Sequence, residues 1–149
     1  MTRCGVLYVD DEVNNLNSFQ ASFRRDFTVY TAESAIAGRG ILDNHEIGVI
    51  ITDQRMPVTT GIEFLESILP IYPDTIRILL TGFSDMNAVM DAINRGQVYK
   101  YLVKPWQNDE LKIYIKNALE LYYLRKENKE LALKLQIANE QLESLNKTK

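Results

Sequence analysis

The sequence predicts an α/β protein built on a parallel sheet. Short apolar runs alternate with helix-length segments of period near 3.6, and five such βα units fit before residue 120. Polar residues stand just past four of the runs. Asp10 and Asp11 follow Gly5-Val6-Leu7-Tyr8-Val9, Asp53 follows Val49-Ile50-Ile51-Thr52, Thr81 follows Ile76-Arg77-Ile78-Leu79-Leu80, and Lys104 follows Tyr99-Lys100-Tyr101-Leu102-Val103. If these runs are parallel strands, the polar groups gather at one sheet edge, the edge at which open α/β sheets bind ligands.

Strands are expected near residues 4–9, 27–31, 47–52, 75–80 and 99–103. Helix 1, about 12–24, buries Leu16, Phe19 and Phe23, which recur at helical spacing. Helix 2 covers about 34–42. Helix 3 begins after Thr60 and ends near Pro70, which cannot continue a helix. Helix 4 runs from about Asp85 to Arg95, with Ser84 as its N-cap and Gly96 as its stop. Helix 5 opens after Asn108, a good cap, with Asp109 and Glu110 in the first turn that favours acids.

Helix 5 continues past the length a sheet needs. Leu121, Leu124, Asn128, Leu131, Leu135, Ala138, Leu142 and Leu145 recur at alternating steps of three and four, a heptad stripe with Asn128 at an a position. One polar residue in such a seam fixes register and strand number. Two units are therefore expected: a domain over 1–122 and a coiled-coil signalling helix over 123–149, with no output domain beyond it. Leu133 and Ile137 lie off the seam, as in a lone amphipathic helix, but a dimeric coil is the reading adopted.

The 149 residues suit one domain plus an appendage, and the net charge of -3 is mixed along the chain, which disfavours nucleic acid or a membrane surface as partner. The single cysteine, Cys4, falls where the first strand would bury it as a small apolar residue. No run reaches the roughly 18 apolar residues of a membrane span, and the N-terminus lacks a secretory pattern, so a cytoplasmic protein is expected.

Were strands 1 and 3 neighbours, Asp10, Asp11 and Asp53 would crowd one crevice. Such charges repel, and a hard divalent cation relieves them; magnesium keeps several waters and completes its octahedron with phosphate oxygens. His45, the only histidine, lies before strand 3 at the opposite edge, which argues against histidine chemistry within this chain. A carboxylate nucleophile that takes up phosphate suits the set instead, with Lys104 as a point charge and Thr81 as a hydroxyl donor.

These residues resemble a known family. Asp10-Asp11, the run Asp53-Gln54-Arg55-Met56-Pro57 with Gly61, Thr81-Gly82, and Tyr101 three residues before Lys104-Pro105 are similar to the receiver domain of two-component response regulators, over about residues 1–122. The resemblance implies a flavodoxin-like (CheY-like), doubly wound five-stranded parallel sheet of order 2-1-3-4-5. It implies Asp53 as phosphoacceptor, Asp11 and Asp53 as Mg2+ ligands, the backbone carbonyl of Arg55 as another, and Asp10 acting through a coordinated water. It also implies a cis Lys104-Pro105 bond, Thr81 and Tyr101 as switch residues, and positions 55 and 83 as tuners of acyl-phosphate lifetime. Gly82 departs from the commoner alanine.

The function so implied is that of a phosphoprotein switch rather than a turnover enzyme, with at most slow self-phosphorylation and autodephosphorylation. Its partners would be a sensor histidine kinase or phosphotransfer protein, and a second copy bound through helix 4, strand 5, helix 5 and the coil. Two alternatives stand beside it. One is a receiver-like interaction module that is never phosphorylated; the other is a flavodoxin-like nucleotide or flavin enzyme, against which no Gly-rich phosphate loop follows strand 1.

Overall fold

A computed structural model describes residues 4–147 other than 94 and 96, and the side chains of all of these except 83, 88 and 91. Its elements are β1 (Gly5–Val9), α1 (Val13–Phe23), β2 (Val29–Ala32), α2 (Ala35–Asn44), β3 (Ile47–Asp53), α3 (Gly61–Ile68), β4 (Ile76–Thr81), a 3-10 turn (Phe83–Asp85), α4 (Met86–Ile93), β5 (Lys100–Val103) and α5 (Asn108–Lys147). The strands form one parallel sheet in the order β2-β1-β3-β4-β5, as the resemblance implies.

The three central strands are apolar on both faces because helices cover both. Alternation along each strand then sorts side chains between two cores. Val6, Tyr8, Val49, Ile51, Ile78 and Leu80 pack under α1 and α5 with Phe19, Leu111 and Ile115. Leu7, Val9, Ile50 and Leu79 pack under α2 and α3 with Leu42, Phe64 and Leu65.

Three local expectations differ from what the fold adopts. β2 starts at Val29 because the amides of Asp26 and Phe27 both return to the carbonyl of Phe23, closing α1 before the chain can extend. Ser84 does not precede a helix. The Asp85 amide bonds the Gly82 carbonyl at 3.0 Å, an i to i+3 closure that puts Ser84 inside the 3-10 turn, and α4 begins at Met86. Gly96, the expected stop, lies outside the described residues. Asn108 is the first helical residue of α5 rather than its cap: the Leu111 amide bonds the Gln107 carbonyl, and the Asn108 side chain donates to Ser22 Oγ at 3.2 Å. Thr60 does cap α3, in a reciprocal capping box with Glu63.

α5 is one helix of 40 residues. Beyond its buried Leu111, Ile115 and Ala118 it stays tied to the N-terminal edge of the sheet. Tyr123 Oη accepts from the Cys4 amide at 3.2 Å, Lys126 Nζ contacts both oxygens of Glu46 at 3.0 and 3.1 Å, and Lys129 pairs with Asp74. Gly48 makes the approach possible, since a Cβ there would fall 2.6 Å from Cys4 Sγ and 3.1 Å from the Tyr122 ring. The thiol of Cys4 is buried, and that burial pushes its pKa up. No described helix is long and apolar enough to cross a membrane.

Candidate functional site

Asp10, Asp11, Asp53, Thr81 and Lys104 meet at the C-terminal sheet edge. Asp53 ends β3, Thr81 ends β4, Lys104 follows β5, and Asp10 and Asp11 follow β1, the strand beside β3. One carboxylate oxygen from each of Asp10, Asp11 and Asp53 lies within 4.8 Å of the others. Asp10 is wholly buried and Asp53 nearly so, whereas Asp11 is exposed. Lys104 Nζ stands 2.7 Å from Asp53 Oδ1, and the Gln54 amide donates to the same oxygen at 3.0 Å. The Lys104-Pro105 peptide bond is cis.

Burial pushes the Asp53 carboxyl above the usual range, and the Asp10 charge adds to the rise; the Lys104 ammonium and the Gln54 amide oppose it. Among the described residues three carboxylates face one ammonium here, so the pocket carries an excess of negative charge. An all-oxygen donor set of that charge, with one exposed member open to solvent, fits a hard divalent cation.

The switch candidates occupy distinct environments. Thr81 is fully buried, and its hydroxyl donates to the Gly82 carbonyl at 3.3 Å. Tyr101, which pairs in register with Leu79, is 37% exposed on the edge strand. The Arg55 guanidinium reaches across the crevice to Asp85 Oδ1, with Nη2 at 2.7 Å and Nε at 3.0 Å. This ion pair joins the β3–α3 loop to the 3-10 turn beyond Thr81. Asp11, Arg55, Thr60 and Asp85 contribute to the lining of a crevice of about 400 Å³ beside the carboxylates. His45 is remote, against the Tyr30 ring.

The roles of Tyr8, Asn15, Gln54 and Asp85 at the site escaped the sequence reading. Tyr8 Oη donates to Asp10 Oδ2 at 2.7 Å, Asn15 Nδ2 donates to the same oxygen at 3.0 Å, and the Glu12 amide donates to Asp10 Oδ1 at 3.0 Å. Burial first, then the hydrogen bond to Asp10, drives the Tyr8 phenol far above its ordinary pKa, so it stays a donor. A signal existed for Tyr8, which lies two residues before Asp10 and hence on its face of an extended chain. Gln54 holds the loop after Asp53: its carbonyl accepts from Gly61 N and its side chain from Ile62 N at 2.9 Å.

Known proteins share this chain's sequence and architecture. The sequence profile of the response regulator receiver domain matches residues 6–116. The hydrogenase transcriptional regulatory protein HoxA of Bradyrhizobium diazoefficiens is 34% identical over 122 residues, covering 82% of this chain and 25% of that protein. The C4-dicarboxylate transport transcriptional regulatory protein DctD of Rhizobium meliloti is 31% identical over 144 residues, covering 96% of this chain and 31% of that protein. This chain thus spans about a quarter to a third of those relatives. Among solved structures, an adenylate cyclase chain from Rhodopirellula baltica superposes with a TM-score of 0.83 at 32% identity, covering 89% of this chain and 99% of that one. The signal receiver domain of an HD domain-containing protein from Pseudomonas fluorescens superposes with a TM-score of 0.77 at 33% identity, covering 82% and 98%. With the matched profile spanning most of its length and every strand in the family's order, this chain belongs to the response regulator receiver domain family.

Proposed function

We propose that Asp53 accepts a phosphoryl group from the phosphohistidine of a sensor kinase or phosphotransfer protein, and that the modified form changes how the chain pairs and what it controls. The observation that carries this reading is the Asp10, Asp11 and Asp53 cluster with Lys104 2.7 Å from Asp53 Oδ1. In the transfer, an Asp53 oxygen forms the new P–O bond as the N–P bond of the donor breaks, and the donor nitrogen keeps the electron pair. Water later attacks phosphorus, returning the carboxylate and inorganic phosphate.

Asp11, Asp53 and the Arg55 carbonyl would hold Mg2+, with Asp10 acting through a bound water. Bound there, the ion would neutralise the carboxylates and the phosphoryl oxygens. Lys104 already points its ammonium at the accepting oxygen and moves its attraction to the phosphoryl group once that group arrives. Gln54 keeps the acceptor oriented.

A phosphoryl group adds about two negative charges and three acceptor oxygens. Raising an active form from about 1% to about 99% takes roughly 5.5 kcal/mol. Two or three charge-assisted hydrogen bonds of about 1.5–3 kcal/mol each, from Lys104, Thr81 and backbone amides, are of that size. Thr81 turns from the Gly82 carbonyl toward the phosphoryl group, Tyr101 moves inward from its exposed position, and the face of α4, β5 and α5 is remodelled. α5 carries that change along the heptad stripe, about 36 Å from Leu121 to Leu145 at 1.5 Å per residue, to an output unit or a second copy. The setting is cytoplasmic, as for response regulators in general.

Labelling with radioactive acetyl phosphate in magnesium tests the reading. The wild-type chain should acquire acid-labile phosphate and Asp53→Asn none; undiminished labelling of the variant would overturn the assignment.

A further inference from the structure

Contacts along α5 separate an anchored face from an exposed one. Leu111, Ile115 and Ala118 are buried in the core, and Lys126 and Lys129 continue that face by pairing with Glu46 and Asp74. Past Leu121, which is half-buried against the core, the heptad leucines point elsewhere: Leu124 is 55% exposed, Leu131 57% and Leu142 59%. At about 100° per residue the leucine stripe lies roughly 150° around the helix from the anchored face. A partner helix seated on the stripe therefore disturbs none of the anchoring contacts.

Charge decides which partner and which direction. With Asn128 at an a position, Glu120, Glu127, Lys134 and Gln141 occupy g, and Arg125, Ala132, Asn139 and Asn146 occupy e. In a parallel pair, a g residue faces the e residue five positions further along its neighbour, so Glu120 meets Arg125 twice by symmetry. Asn128 then faces Asn128, and each amide satisfies the other. An antiparallel pair centred on the same stripe sets Lys134 against itself, Arg125 against Asn139, and Asn128 against the methyl of Ala138. Among the described residues neither Glu120 nor Arg125 belongs to an ion pair.

Resting on the dimeric reading above, we propose that a second copy of this chain binds along the leucine stripe in parallel register, fixed at the receiver end by reciprocal ion pairs between Glu120 of each copy and Arg125 of the other. The heptad stripe sets the axis of the pair. The ion pairs set its direction, and Asn128 its register.

Disulfide trapping in the full 149-residue chain tests this. In a Cys4→Ser background, Asn128→Cys alone should form a covalent dimer, because like a positions of parallel helices approach within the roughly 4.4–6.8 Å Cα separation a disulfide spans. Asn128→Cys/Ala138→Cys, which reports the antiparallel pairing, should trap no more than Asn128→Cys does. Glu120→Arg should weaken dimerisation roughly tenfold in sedimentation by turning two attractive pairs repulsive. Adding Arg125→Glu should restore it to within about twofold. A dimer that is trapped only by the double-cysteine variant, or that the charge swap leaves as weak as Glu120→Arg, would overturn the parallel register alone. A chain that sediments as a monomer under all conditions, with acetyl phosphate labelling intact, would overturn the dimeric reading itself.

Discussion

The hydroxyl of Tyr8 donates a 2.7 Å hydrogen bond to Oδ2 of Asp10, and both side chains are completely buried. Asp10 Oδ2 also accepts from Asn15, and Oδ1 from the Glu12 amide, so both of its oxygens are held by protein donors. This bond fixes a carboxylate of the acidic cluster from inside the core.

Tyr8→Phe should therefore destabilise the metal-free protein by about 1.5–3 kcal/mol, the range for a hydrogen bond to a charged group. The Asp10 charge is then less compensated, so magnesium should raise the melting temperature of Tyr8→Phe more than that of the wild type. Thermal melts with and without magnesium check this. Equal magnesium increments would separate Tyr8 from the site.

Lys104→Met removes the ammonium that faces Asp53 Oδ1. Beryllofluoride, which mimics the phosphoryl group, should bind on the order of 10- to 100-fold more weakly, the equivalent of one charge-assisted hydrogen bond. Magnesium alone should bind more tightly, because a competing positive charge has gone. Trp106, which packs against the α1–α5 core and lines a cavity with Tyr8, offers the fluorescence signal.

The raised pKa of Asp53 fixes the sign of a pH effect. A carboxyl whose folded value exceeds its unfolded value of about 3.9 stabilises most below that pH, and the contribution is lost as pH rises through the folded value. Ionised Asp53 is thus a net cost near neutrality without metal. Asp53→Asn should melt higher than wild type at pH 7 in chelator, with the advantage shrinking toward pH 4. A lower melting temperature at pH 7 would contradict the electrostatic account.

Gly61 starts α3 against the strand that carries Asp53. A Cβ there would lie 2.4 Å from the Asp53 carbonyl oxygen and 3.0 Å from Leu79 Cδ1. Backbone cannot yield as a flexible side chain does, so Gly61→Ala should cost about 1–3 kcal/mol and misplace Asp53. Chemical denaturation gives the first effect. A fall in labelling by acetyl phosphate gives the second.

Five strands and their order along the chain were legible in the sequence, because alternating periodicities are local properties of consecutive side chains. The carboxylates, Thr81 and Lys104 were legible for a related reason: parallel strands deliver their C-terminal residues to one edge whatever the details of packing. Ser84 and Asn108 misled because capping depends on where the last backbone bond closes, and Gly82 and Gln107 supplied those acceptors.

By itself, then, the sequence determined the βα repeat, the chemistry gathered at the sheet edge and the heptad stripe. Tertiary structure alone decided that Arg55 crosses to Asp85, and that α5 remains fastened to Cys4, Glu46 and Asp74 well beyond its last buried residue. Each of those contacts joins groups whose distance in space depends on how whole elements pack, and local residue patterns carry no record of that distance.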